Sequence, residues 1–275
     1  LSFLVAFYGC LLAGVIPVPV EVPLTKRDAG IQQLGFLLGG CDVKVALTSE
    51  TCYKGLPKVS ASGHSVTSSS TAGNSDIEVH FKGWPRLVWL TTEHLSKPPR
   101  DWTVPHPSAD GSLAYIEYTT DKEGSVKGVC YTRQAILSHC RSIITAMGYK
   151  EGETMVSVLD FKREAGLWHS VIASVFIGMR VIFVPYSLMK INPTSWMLMV
   201  TKYQAKSALV KSRDLHWGLL ASKDHKDIDL SSLRSILVVD GANPWSLSSC
   251  DQFAATFQSR GLRPDALCPC ALSSE

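Results

Sequence analysis

The sequence predicts an α/β fold of mostly parallel sheets flanked by helices, and two observations carry that expectation. From residue 113 onward, strand-like runs alternate with helix-like runs, the order that lays helices over both faces of a parallel sheet. The chain is also long enough and apolar enough for a core: 45% of its 275 residues are hydrophobic and 19% are charged. With a mean hydropathy of +0.11, it lacks the low hydrophobicity and high charge of a disordered chain.

The elements follow in order. Residues 1–20, "LSFLVAFYGCLLAGVIPVPV", carry no charge and match the length of about 20 residues that spans a bilayer. Gly14, Pro17 and Pro19 interrupt the last third, and a helix interior tolerates proline poorly. The segment therefore divides into a buried helix to about Ala13 and an extended "GVIPVPV", with no transmembrane helix. A second helical pattern runs over Ala29–Leu38 and a short strand over Val43–Thr48. The stretch 60–76, "SASGHSVTSSSTAGNSD", is a Ser/Gly-rich loop with nothing to build a core from.

"LAYIEY" (113–118) is a strand, followed by a loop holding Gly124 and Gly128. A helix then opens near Thr132, a good N-cap residue. Its Ile136, Cys140, Ile143, Ile144 and Met147 fall on one apolar stripe. Strands are expected at 156–160, 180–185, 207–210 and 235–240. Helices are expected at 166–178, after Pro193 and at 213–221. Ligands of parallel sheets sit at the carboxyl ends of the strands, so the loops after Tyr118, Asp160 and Asp240 are where chemistry belongs.

Several function classes drop out. A formal net charge of +3 is too diffuse for a nucleic-acid surface, which needs a basic stripe. The eight cysteines, at 10, 41, 52, 130, 140, 250, 268 and 270, lack the dense spacing of a disulfide scaffold. Their pattern suits a reduced, cytoplasmic setting. No GxSxG, GxxxxGK[ST] or GxGxxG run is present, and the histidines have no HxxxH spacing. His139 beside Cys140, and His169 beside Trp168, read as packing residues. The chain starts without Met and stops at Glu275 with no closing element, so a piece of a longer protein, incomplete at both ends, is expected.

The informative segment is Tyr118 to Val129, "YTTDKEGSVKGV". A strand leads into a stretch with two hydroxyls, two glycines and a lysine, groups that can donate to phosphate oxygens. On local chemistry alone the favoured reading is an ordinary polar turn with Gly for tight geometry. The segment resembles the signature Y-T-S-G-[ST]-T-G-x-P-K-G-V of the adenylate-forming superfamily, with Tyr118, Thr119, Gly124, Lys127, Gly128 and Val129 matching and Thr120 in place of Ser. The opening "FLVAFYGCLLAGVIPVPV" and the run from Asp240 to Cys270, "DGANPWSLSSCDQFAATFQSRGLRPDALCPC", resemble the fatty-acyl-AMP ligase branch.

The resemblance implies that residues 1–275 are a partial AMP-binding domain, the N-terminal large subdomain of that fold, without its C-terminal small subdomain. It implies ATP/AMP and Mg²⁺ as cofactors and a fatty acid or acyl group as substrate. Lys127 and Glu275 would be the catalytic pair, with Glu275 also the metal-linked carboxylate. Thr119, Thr120, Gly124, Gly128, Asp240, Gly241 and Ala242 would bind the nucleotide.

The departures from the pattern are as informative. Asp121 stands for Gly, Lys122 for Ser/Thr, Glu123 for Thr and Val126 for Pro. Two like charges about 4 Å apart repel by about 1 kcal/mol in water and about 4 at an effective dielectric of 20, so Asp121 and Glu123 weaken ATP binding without excluding it. Asp121 also restricts a backbone that Gly would leave free. The adenine-side turn N-G-A-E-P reads Asp240-Gly241-Ala242-Asn243-Pro244, and Ala271 replaces the expected Tyr of Y-G-x-x-E. Where the ligases carry Y-H-D-M-G-L, this chain has Lys162-Arg163-Glu164-Ala165-Gly166-Leu167. Two readings therefore stand: an acid-activating ligase domain with an eroded nucleotide loop, or an inactive scaffold of the same fold that binds lipid or protein partners.

Overall fold

The computed structural model describes residues 2–21, 29–56, 58–60, 77–79, 81, 83–105, 109, 111–120, 125–221, 227–240 and 244–271. The Ser-rich stretch at 61–76 lies outside them. The chain divides into two compact units, Leu1–Gln134 and Ala135–Ser273.

The first unit opens with α1 (Ser2–Leu12) and α2 (Ala29–Gly40). Next come β1 (Val45–Thr48), α3 (Glu50–Gly55), β2 (Lys58–Ser60), β3 (Ile77–Val79) and β4 (Val88–Thr91). The unit ends with β5 (Leu113–Thr120) and β6 (Val126–Thr132). Strands β1 and β4 pair in parallel, while β2–β3 and β5–β6 are antiparallel. A small core of Ile31, Leu56 and Phe81 gathers Tyr53, Trp84 and Trp89 around it.

The first helix stops at Leu12 and an irregular segment follows. Its Pro17 carbonyl accepts the Ile116 N–H of β5 at 3.1 Å, a contact with that strand which the sequence does not foretell. The helix itself is less covered than the sequence suggests. Only Phe7 is buried in α1, and Val5 is 72% exposed, because no described element covers its second face. No helix among the described residues is long and apolar enough to cross a membrane.

The second unit holds α4 (Arg133–Met147), β7 (Thr154–Ser157) and a continuous helix made of α5 (Glu164–Leu167), a π-helical turn (168–173) and α6 (Ser174–Ile177). Then come β8 (Arg180–Phe183), α7 (Tyr186–Ile191), α8 (Ser195–Tyr203), β9 (Ser207–Val210) and α9 (Ser212–Ala221). It closes with β10 (Ser235–Val238), α10 (Pro244–Phe257) and β11 (Leu267–Pro269). Five strands form one parallel sheet in the order β11-β10-β9-β7-β8.

The sheet has two buried faces. Val156, Ala208, Val210, Ile236 and Val238 point to one side, into a core with Trp196, Met197, Phe253 and Phe257 from the helices. Their alternates Met155, Ser157, Ser207, Leu209, Ser235 and Leu237 are buried on the other. Side chains covered on both faces leave no polar alternation along the central strands.

At the amino end of this sheet, Arg234 clamps Glu153 through Nη1–Oε1 at 2.7 Å and Nη2–Oε2 at 2.8 Å, and Nη2 also donates to the Gly148 carbonyl at 2.8 Å. The clamp ties the start of β10 to the start of β7. Arg234 holds the Glu153 carboxyl below its usual range, against the opposing effect of burial. A lowered folded pKa means that this stabilisation is present above about pH 4.3 and is lost as the pH falls through the lowered value. Arg234→Met leaves a carboxylate whose side chain is 14% exposed without its partner. We expect a loss of about 2 kcal/mol at neutral pH, and a shallower acid dependence below about pH 4. Urea denaturation across pH measures both.

Candidate functional site

The first candidate region is the β5–β6 hairpin, and it corrects the sequence reading. The run after Tyr118 was expected as one loop as far as Thr132. Val126 to Thr132 is instead a strand, rich in the β-branched and aromatic residues that suit a pleated surface. Thr119 pairs with Lys127, Tyr118 with Gly128 and Thr120 with Val126. Between the two strands lie residues 121–125, of which 121–124, including Asp121, Glu123 and Gly124, lie outside the described residues.

Pairing assigns the two signature residues Lys127 and Gly128 to opposite faces. Thr119 and Lys127 are directly opposite and share a face. On that face Tyr115 and Tyr131 stack with centroids 4.9 Å apart, and Phe7 of α1 meets Tyr115 edge-on at 5.6 Å. The lysine is exposed and Thr119 is half-buried. An ammonium and a hydroxyl side by side at the loop end of a paired hairpin fit a phosphate group, which takes donors from both.

Gly128 has a packing role. A Cβ there would lie 2.9 Å from Leu37 Cδ1 of α2 and 3.3 Å from Ile116 Cγ2, so the missing side chain lets α2 lie against the strand. The obstacles are side-chain ends, which can move. Thr120 lies at the end of β5, and Tyr118 accepts the Glu21 N–H through its hydroxyl at 3.4 Å.

The second candidate region is the carboxyl end of β7. Asp160 accepts the Lys162 N–H at 3.0 Å and has Lys162 Nζ at 3.7 Å and Arg163 Nε at 3.9 Å. Glu164 takes φ +52°, a left-handed conformation disfavoured for a side chain of this kind. Two residues on, a Cβ on Gly166 would lie 1.9 Å from the Asp160 carbonyl oxygen. Here the obstacle is backbone. The helix entry is thus seated on the strand exit by a glycine that nothing larger can replace.

Inside that helix, Ser170 donates to the Gly166 carbonyl, and Ser174 donates to the carbonyls of Ser170 at 2.8 Å and Val171 at 3.2 Å. His139 meets Trp168 edge-on at 4.5 Å. Tyr149 Oη and His169 Nδ1 share a hydrogen bond at 2.9 Å, and burial pushes His169 down to about 4. Cys140 is fully buried and its thiol is pushed up to about 11 by burial. Both histidines and the cysteine are packing groups, as the sequence suggests, since a buried thiol of that kind supplies no thiolate at neutral pH.

The third region is the carboxyl ends of β9 and β10. Asp240 accepts the Ser212 N–H at 2.6 Å, and Asp214 accepts the Lys211 N–H at 2.9 Å. Two carboxylates thus serve the first turn of α9, the end of a helix that favours negative charge. Asp214 is 2% exposed, with Arg213 Nε at 3.5 Å, and burial raises its carboxyl. One oxygen of Asp240 is therefore committed to α9. Gly241, Ala242 and Glu275 lie outside the described residues. Among the described residues, no three His, Cys, Asp or Glu side chains gather as metal ligands.

The model of the family described as AMP-binding enzyme matches residues 1–263, a span that includes the hairpin, the Gly166 turn and Asp240. The chain belongs to the AMP-binding enzyme family. It is 61% identical over 276 residues to Disco-interacting protein 2 of Drosophila melanogaster, covering 100% of this chain and 15% of that protein. It is 58% identical over 276 residues to the human Disco-interacting protein 2 homolog B, covering 99% of this chain and 17% of that protein. The chain thus spans about a sixth of the length of these curated relatives. Its fold is similar to the fatty acyl-adenylate ligase of L. pneumophila, solved with acyl adenylate and pyrophosphate. That match has a TM-score of 0.74 at 20% identity and covers 98% of this chain and 43% of that one.

The large-subdomain fold expected from the sequence is therefore the fold of this AMP-binding chain. Sequence reasoning missed the strand carrying Lys127 and the short helix α7. It also missed the use of Asp240 to hold α9. The valine and tyrosine content of 126–132 could have revealed the strand, whereas no local signal reports the Asp240 contact.

Two glycine substitutions separate the packing roles. Gly166→Ala drives a Cβ into backbone and should lower stability by about 3 kcal/mol. Gly128→Ala meets movable side-chain ends and should lower it by about 1 kcal/mol. Chemical denaturation of both variants measures the difference. His169 binds its proton more weakly than an unfolded histidine, so stability should be full above about pH 6.5 and decline towards pH 4. An NMR titration of His169 should show its ring neutral down to about pH 4.

Proposed function

We propose that this chain is the large-subdomain part of a fatty-acyl-AMP ligase-like domain with a weakened nucleotide loop. The carrying observation is the hairpin that seats the Lys127 ammonium opposite Thr119, with Asp121 and Glu123 following in sequence where the family signature has Gly and Thr. In the reaction proposed, a fatty-acid carboxylate attacks the α-phosphate of ATP and pyrophosphate leaves, giving acyl-AMP. Such a reaction relies on positioning and on stabilising phosphate charge. Lys127 would supply that charge, with Thr119, Thr120 and Gly124 lining the loop, while Gly128 would contribute by letting α2 pack behind the strand. Asp240, Gly241 and Ala242 would flank the adenine, and Glu275 would meet Mg²⁺. Fatty-acid handling and a cytoplasmic setting belong to the same reading.

The departures around the loop support a second reading, in which the fold binds acyl chains or proteins without turning over ATP. Titration calorimetry with ATP–Mg²⁺ and with a non-hydrolysable acyl-AMP mimic separates the two. The ligase reading expects the mimic to bind, with Lys127→Ala reducing its affinity about tenfold or more, about 1.4 kcal/mol. It also expects tighter ATP binding by Asp121→Gly combined with Glu123→Thr. Absence of heat for either ligand at about 1 mM defeats the ligase reading. Unchanged ATP affinity in the double variant defeats the electrostatic account of the loop.

A further inference from the structure

The second unit carries a groove unrelated to the phosphate hairpin. Helices α7 and α9 flank an open groove of about 710 Å³ lined by Tyr186, Lys190, Pro193, Trp217, Leu220 and Ala221. The rings of Tyr186 and Trp217 lie 6.2 Å apart with an interplanar angle of 25°. Two cations lie against the same tyrosine: Lys190 Nζ is 4.9 Å and Arg213 Cζ 4.8 Å from its ring centre, and Arg213 is also 5.3 Å from that of Trp217. Leu220 on the groove wall is 67% exposed, and Ile191, next to Lys190 in the sequence, is 84% exposed.

Its electrostatics select the occupant. Among the described residues, no carboxylate lines the groove. Arg213 is balanced by the buried Asp214 at 3.5 Å, whereas Lys190 has no ion pair among the described residues. The aromatic faces hold the cations in place at the groove, which therefore offers apolar floor and fixed positive charge together. A membrane surface is a poor match, since it takes clusters of about four to eight basic residues on a flat or convex face. A small enclosed ligand is also a poor match, because the groove is open and Leu220 on its wall is exposed. The ten residues of α9 span about 15 Å at 1.5 Å each, a length that three turns of a second helix can follow.

We propose that the α7–α9 groove docks an amphipathic peptide helix whose leucine-type anchors are flanked by carboxylates. Anchors at i, i+3, i+4 and i+7 would fill the space beside Trp217 and Leu220, the helix-in-groove mode of recognition. The flanking carboxylates would meet Lys190.

Fluorescence anisotropy with the 275-residue chain tests this. The probes are a labelled peptide of about twelve residues with leucines at those positions and glutamates elsewhere, and its lysine counterpart. The glutamate peptide should bind in the micromolar range and weaken with salt, and the lysine peptide should bind at least about tenfold more weakly. Lys190→Glu should weaken the glutamate peptide at least about fivefold, and Leu220→Asp at least about tenfold. Both positions are exposed, and circular dichroism checks that the fold is kept. Equal binding of the two peptides overturns the proposal, as does no binding at about 1 mM. Laurate binding that Leu220→Asp abolishes, with the peptides inactive, would assign the groove to a lipid anion. Self-association lost in Leu220→Asp would assign it to a second copy. Either result also overturns the proposal.

Discussion

Burial of the five-stranded parallel sheet on both faces is the constraint from which the second unit follows. Parallel strands cannot be joined by tight turns, so each must be followed by a crossover, and the crossovers supply the covering layers. Val156, Ala208, Val210, Ile236 and Val238 meet the helices carrying Trp196 and Phe253, while Met155, Ser157 and Leu209 are buried behind them. Covering both faces brings helices hard against strand exits. At Gly166 the approach is so close that the helix entry sits on the Asp160 carbonyl.

The two ends of the sheet use charge differently. At the amino end, Arg234 and Glu153 form a forked pair that joins β10 to β7. At the carboxyl end, Asp214 and Asp240 serve the first turn of α9 through backbone N–H groups. The first arrangement locks strands to each other. The second positions a helix from Asp240 after β10, so that residue supports the helix along which the groove lies. Carboxylates at the carboxyl ends of a sheet are therefore not all ligand groups; some are anchored by helix ends.

The hairpin makes a similar point about motifs. Lys127 and Gly128 are neighbours in a signature, yet the alternation of a strand turns them to opposite faces. The lysine shares a face with Thr119 and stays exposed, while the glycine makes room for Leu37 of α2. A motif written as one string thus contains both a chemical group and a packing allowance. A loop would impose no such separation.

Local pattern was enough to read much of this chain. The apolar stripe of α4 buries Cys140 and Ile143, and the strand at 207–210 was legible as written, because periodicity and residue type reflect the environment each side chain will meet. The hydroxyls, glycines and lysine of 118–129 were also visible in the sequence. Other features needed coordinates. The six residues of α7 are too few to display a helical period, and the Tyr186–Arg213–Trp217 contact joins segments far apart in sequence. The hydrogen bond of Asp240 spans 28 positions. Sequence by itself determined the central strands of the second unit, the helices α4, α8 and α9, and which residues carry donor chemistry, since those depend on neighbours along the chain. Only the tertiary structure decided that Gly166 must be glycine, that Asp240 holds α9 and that two cations meet one tyrosine, since each depends on atoms brought together by folding.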